Sequence, residues 1–249
     1  MKKNLPLSYI EISKKNLIHN IKQFRDLVKK PARPHDSSGA GGGTKISVVI
    51  KGNAYGHGQN IVAKILEPYV DYFFVNSVEE LKLLRDISQK PVLLLGYAVK
   101  SDLPQAIKLD CILAVFSLEQ IKQISAMAEM CKVVQEIHLS IDAYLGREGF
   151  LISELPFVLE QIKKYKNIKL SGIYAHFANI EDTTNFAHAQ KQINEYAKAL
   201  AIASKFGFKN LQTHISSTSG ILVYEKNKGT HPIVRLGISI YGMWPSEHL

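Results

Sequence analysis

Short apolar runs alternate with amphipathic stretches along almost the whole chain. The runs Ile46–Ile50, Tyr72–Val75, Val92–Leu95, Ile112–Phe116, Glu136–Ile141, Leu170–Ala175, Leu211–Ile215 and Ile233–Tyr241 carry little polar alternation. That is the pattern of strands covered on both faces. Between them, helical spacing predicts helices over Asn60–Leu66, Val78–Asp86, Leu103–Lys108, Leu118–Ala128, Ser153–Tyr165 and Thr184–Phe206. A further helix, Lys15–Val28, precedes the first strand, with Leu17, Ile21, Phe24 and Leu27 or Val28 on one face. Gly207 is expected to end the longest helix. Strands separated by helices, at 249 residues, predict an α/β fold: a (β/α)8 TIM-type barrel in one domain.

The stretch 31–45 breaks the pattern. It is rich in Gly, Pro and Ser, so a flexible loop is expected there, on the face of the barrel away from the strand C-terminal ends. Its glycines do not fall in the order of a phosphate loop.

Composition narrows the function. Hydrophobic residues make up 46% of the chain, enough for one full core. The net charge of +9 is spread over helix positions such as Lys14, Lys15, Lys22, Lys163, Lys164 and Lys166. It is not gathered into an arginine-rich run, so it reads as a solvated face and not as a nucleic-acid surface. The apolar runs are too short to span a bilayer, and the N-terminus lacks a secretion signal. Cys111 and Cys131 have no metal or redox spacing. These features point to the cytoplasm and to neither membrane nor nucleic acid as partner. No His, Asp or Glu grouping has metal-ligand spacing.

Candidate chemistry centres on Lys51-Gly-Asn-Ala-Tyr-Gly-His-Gly58, which follows the first strand. A lysine buried at a strand end loses its proton cheaply, and a neutral amine can form a Schiff base with an aldehyde cofactor. The small, glycine-rich residues that follow read as a loop, with the Tyr55 hydroxyl able to reach a phosphate. Together these suggest a pyridoxal 5'-phosphate (PLP) site. In a barrel the reactive groups gather at strand C-terminal ends. There the chain offers Asp142 and Arg147, His176 in Gly172-Ile-Tyr-Ala-His-Phe-Ala178, His214-Ile-Ser-Ser-Thr-Ser219, and Arg235-Leu-Gly-Ile-Ser-Ile-Tyr-Gly242. His57, His138 and His214 read as structural or solvent-facing, and Asp142 as a hydrogen-bond acceptor.

These segments, in this order, resemble the N-terminal domain of alanine racemases, fold-type III PLP enzymes. Tyr72–Arg85 fits the same pattern. The resemblance implies a PLP-binding barrel over 1–242, with 243–249 beginning a linker to a C-terminal β-domain that the chain lacks. It implies interconversion of L- and D-alanine for peptidoglycan precursors, with Lys51 as Schiff-base lysine and one-face base. Tyr55, Thr218 and the backbone N–H groups of Gly237 and Ile238 would bind the cofactor phosphate. Arg235 would face the pyridine nitrogen, His176 would help hold it, and Arg147 would bind the substrate carboxylate. The family's homodimer brings the opposite-face tyrosine from the β-domain of the other subunit. A single-domain PLP-binding or homeostasis protein without racemase activity is the alternative. Departures are Asp142-Ala-Tyr-Leu-Gly-Arg147 in place of Asp-Thr-Gly-Met-Gly-Arg, Ser140 where a lysine is common, and Ser217 where asparagine is usual.

Overall fold

A computed structural model describes residues 8–28, 44–178, 180, 186–225, 231–244 and 246. The 31–45 loop expectation therefore lies almost wholly outside the described residues, as do the start of the Thr184–Phe206 helix and most of 243–249.

All eight expected strands form, and every pairing between them is parallel. They are β1 Lys45–Val49, β2 Tyr72–Val75, β3 Val92–Leu94, β4 Ile112–Val115, β5 Gln135–Ser140, β6 Ile168–Tyr174, β7 Gln212–His214 and β8 Ile233–Leu236. Among the described residues these helices accompany them: α1 Lys14–Val28, α2 Gln59–Leu66, α3 Val78–Arg85, α4 Leu103–Lys108, α5 Leu118–Met130, α6 Leu155–Ile162 and α7 Ala187–Lys205. The sheet runs β7-β6-β5-β4-β3-β2-β1-β8 and curls into a nearly closed barrel. No ladder joins β7 to β8 among the described residues. That seam is bridged by the Arg235 N–H, which donates to the Ser216 carbonyl at 3.1 Å.

Strand alternation sorts the side chains into two cores. Val49, Tyr72, Phe74, Leu93, Ile112, Ala114, Tyr174 and Ile233 fill the barrel interior. The intervening residues, such as Ile46, Val48, Phe73, Val75 and Val234, meet the helices outside. Helix α1 buries Leu17, Ile21, Phe24 and Val28 at helical spacing. It packs against α2 and the turn 238–241, where Asn20 donates to the Ile240 carbonyl. Helices α3 and α5 start alike, on Ser77 and Ser117 hydroxyls that accept from the Glu80 and Gln120 N–H groups.

Three boundaries differ from expectation. The last run is strand only to Leu236; Gly237 breaks it, and Ile238–Tyr241 coils into a 3-10 turn closed by the Ile240 N–H on the Gly237 carbonyl. The sixth helix shortens to Leu155–Ile162, with Pro156 in its first turn. Residues 51–55, expected as a loop, form a turn of left-handed helix: φ is +61° at Gly52, +52° at Asn53, +56° at Ala54 and +52° at Tyr55. Gly207 ends α7 as expected, with φ +88°.

Candidate active site

The left-handed turn begins at the end of β1 and aims its side chains across the barrel mouth. Such a conformation costs an L-residue roughly 1–2 kcal/mol, so neighbours must impose it. The Ala54 N–H donates to the Ile50 carbonyl, and Gly58 donates to the Asn53 carbonyl at 2.9 Å. The Asn53 side-chain oxygen accepts from the Gln59 N–H. Glu80 ties the turn to the start of α3: one carboxylate oxygen accepts from the Gly52 N–H at 2.6 Å, the other from the Asn76 N–H at 2.7 Å.

This geometry brings Lys51 and Tyr55 into one cavity of about 450 Å³ at the C-terminal ends of the strands. The same cavity is lined by Arg147, His176, Arg235 and Gly237, from β5, β6 and β8. Lys51 is half-buried and lines the cavity, where the sequence suggested a buried amine at a strand end. Tyr55 is pushed above its ordinary value by burial, so its hydroxyl keeps its proton and can donate. That hydroxyl would sit 3.4 Å from a Cβ added at Gly237. Across the seam the Gly237 N–H donates to the Thr218 hydroxyl at 3.3 Å. Thr218 starts a short turn after Ser217, and Ile238 starts the 3-10 turn. The first N–H groups of such turns lack acceptors within the turn. Two hydroxyls and backbone N–H groups thus converge where β7 and β8 end, a donor set suited to a phosphate.

Arg235 forms the floor and is 5% exposed. One guanidinium nitrogen donates to His214 Nδ1 at 2.9 Å. The two hydrogens of the other are shared among three acceptors, the Ala175 and Ile215 carbonyls, each at 2.8 Å, and His176 Nδ1 at 3.0 Å. Burial pulls Arg235 down to about 10, which leaves it charged at neutral pH. His176 is pushed down to about 3 by burial first, then by Arg235, Arg147 and Lys51, so it is a neutral acceptor. The Tyr174 ring lies under the guanidinium, 5.6 Å to its centroid.

Arg147 reaches the cavity but is engaged by the adjacent carboxylate. Its Nη2 donates to Glu148 Oε1 at 2.7 Å, and its Nε donates to Oε2. Ser140, at the position where the resemblance makes a lysine common, donates to the Glu148 carbonyl at 3.4 Å and also meets the Tyr174 side chain. Asp142 is a local acceptor, as expected, taking the Leu145 and Gly146 N–H groups.

The structure therefore brings together Lys51, Tyr55, Arg147, His176, Arg235 and Gly237, with Thr218 and Ile238 directly behind. His138 and His214 are not solvent-facing; they sit inside the barrel at 1% and 0% exposure. His57 stacks on Tyr241, ring centroids 4.7 Å apart. Sequence reasoning missed Glu148, Tyr174 and Asn76 as lining residues. Tyr174 was readable in principle: it stands two before His176 on an emerging strand, and so shares its face.

Eight parallel strands in a nearly closed barrel, with a lysine, two arginines and hydroxyl donors gathered at their C-terminal ends, define a TIM-type α/β barrel with its site at the usual end. The chain belongs to the alanine racemase N-terminal domain family, whose model matches residues 12–245. It is 32% identical over 241 residues to alanine racemase 2 of Caldanaerobacter subterraneus, covering 96% of this chain and 58% of that protein. It is 30% identical over 242 residues to the alanine racemase of Leptospira interrogans, again covering 96% and 58%. Among solved structures, the alanine racemase of Clostridium difficile 630 superimposes with a TM-score of 0.87 at 30% identity, over 100% of this chain and 62% of that one. A second structure of that enzyme, at 30% identity and a TM-score of 0.83, is a complex with cycloserine; it covers 94% of this chain and 61% of that one. The chain spans about three fifths of the length of these relatives.

Proposed function

We propose that this barrel binds PLP and serves a PLP-dependent racemase acting on alanine. The observation that carries the reading is the shared cavity of Lys51, Tyr55, Gly237 and Arg235, residues drawn from both ends of the chain. When bound, PLP supplies an aldehyde that captures an amine and a conjugated ring that stabilises negative charge at the α-carbon.

The chain's own groups have separable tasks. The Tyr55 and Thr218 hydroxyls and the Gly237 and Ile238 N–H groups bind and orient the phosphate. The Lys51 amine takes and returns the proton at the substrate α-carbon on its own face. Arg235 only donates, so it holds the ring nitrogen by a hydrogen bond without giving it a proton. That limits charge withdrawal into the ring and favours return of the proton over side reactions. His176, kept neutral, accepts from Arg235 and fixes its edge. Arg147 offers a fork matched to a carboxylate once Glu148 yields it. Racemisation also needs a proton group on the opposite face. The family resemblance assigns it to a C-terminal β-domain of a partner in a homodimer, with the barrel over 1–242 as the cofactor domain. A cytoplasmic source of D-alanine for peptidoglycan precursors fits this reading.

The test is a PLP titration followed by absorbance. Wild type should develop a visible-edge band, and Lys51→Ala should not. Absence of the band in wild type, or its survival in Lys51→Ala, overturns the proposal.

A further inference from the structure

Behind Arg235, on the side away from the cavity, lies a second histidine that the proposed function does not use. His214 Nε2 is 3.0 Å from His138 Nδ1, and both rings are buried inside the barrel. A guanidinium has no lone pair to offer, so the His214 Nδ1 beside it must accept. The His214 proton is then on Nε2 and is donated to His138 Nδ1. The His138 proton is in turn on Nε2, where it meets no acceptor. The reverse order would set a His214 N–H against an Arg235 N–H. Burial opposes a charged ring at either position; Arg235 adds to this at His214, while Glu136 offsets only part of it at His138. The tautomers of both rings thus follow from one residue's inability to accept.

The fold makes room for this arrangement. A Cβ at Gly172 would come within 2.5 Å of His138 Cε1 and Nε2, so the ring can lie there only over a glycine. Tyr174 stacks on His214 with centroids 5.0 Å apart and planes 3° apart. That stack fixes the plane of His214 but is indifferent to a half-turn about Cβ–Cγ. Only His138 and Arg235 distinguish one nitrogen edge from the other. An orphaned buried N–H is costly, and the arrangement keeps one on His138 while the guanidinium keeps its contacts with His214, His176 and the Ala175 and Ile215 carbonyls.

We infer that His138 is a positioning residue: by accepting from His214 Nε2 it holds the His214 Nδ1 lone pair toward Arg235, and so fixes the guanidinium edge facing the cavity. This rests on the reading that Arg235 meets the ring of PLP, but its first test does not. Protein labelled with 15N-histidine, without cofactor and at neutral pH, should show both His138 and His214 as Nε2–H tautomers in long-range 1H–15N spectra. A proton on Nδ1 of either ring overturns the inference, whatever any variant does. In His138→Phe the His214 signals should shift or broaden by exchange between edges. His138→Gln, whose side-chain oxygen can accept, should restore them. The PLP Kd should rise roughly fivefold in His138→Phe, the loss of about one hydrogen bond, and lie within about twofold of wild type in His138→Gln. Unchanged His214 signals and unchanged PLP affinity in His138→Phe also overturn it. If wild type shows the expected tautomers but no Lys51-dependent band, the relay stands and the PLP reading falls.

Discussion

Acid should unfold this protein earlier than its carboxylates alone would. His138 and His176 are each pushed down to about 3, His231 to about 4, and His214 well below its ordinary 6.5, burial being the largest cause in every case. The folded state keeps these four rings neutral at pH 5, while the unfolded chain protonates them. The unfolded state therefore binds more protons, and stability must fall as pH drops through 6.5 and continue falling until the folded values are reached. For His138, His176 and His231 the size of the loss at pH 5 depends only on the ordinary value, because their folded values lie below 5. It comes to about 2 kcal/mol for each of these three rings and about 6 together, and His214 adds to it in the same direction. Domains of this kind are stable by roughly 5–15 kcal/mol, so the change consumes most of the margin. Carboxylates add little at pH 5, since their ordinary values are lower. Urea unfolding at pH 7.5 and pH 5 reads the difference directly. His138→Phe should fall by about 2 kcal/mol less than wild type between the two, having one group fewer to titrate. A wild-type loss under about 3 kcal/mol would show that these rings are not held neutral, and would refute the reasoning.

Two further perturbations test the barrel interior. Gly172→Ala drives a methyl group into the His138 ring and to 2.6 Å from the Gln212 carbonyl, and should cost about 1–3 kcal/mol in urea unfolding at pH 7.5; a cost below about 0.5 would mean the ring is free to move. Tyr196→Phe removes a buried hydroxyl that donates to the Ile173 carbonyl at 2.6 Å and accepts from the His214 N–H at 3.2 Å, and should cost about 1–3 kcal/mol by the same assay, with no loss counting against those bonds.

The architecture was legible because its signal is long and redundant. Eight apolar runs without alternation, the first six each followed by a helical period and the first also preceded by one, leave few arrangements other than a parallel barrel. Lys51 and Arg235 were legible as a pair for a related reason: strand C-terminal ends converge, so groups 184 positions apart share a mouth. What escaped were features set by contact and not by period. His138 and His214 meet across 76 positions, and nothing local marks either ring as part of a relay. The left-handed turn at 52–55 depends on Glu80, which reaches it from another helix. Gly237 ends a strand whose apolar pattern runs on to Tyr241, so the boundary there is set by backbone geometry that hydrophobicity does not encode.

The seam between β7 and β8 gives the cavity a mechanical meaning. Thr218 follows one of these strands and Gly237 the other, and their hydrogen bond of 3.3 Å crosses the gap beside those that Arg235 makes to Ser216, Ile215 and His214. Any anion gripped by both clamps the staves of the barrel together like a hoop. Occupancy is then coupled to closure, and ligand and fold lend each other free energy beyond what the Arg235 contacts already supply at that edge.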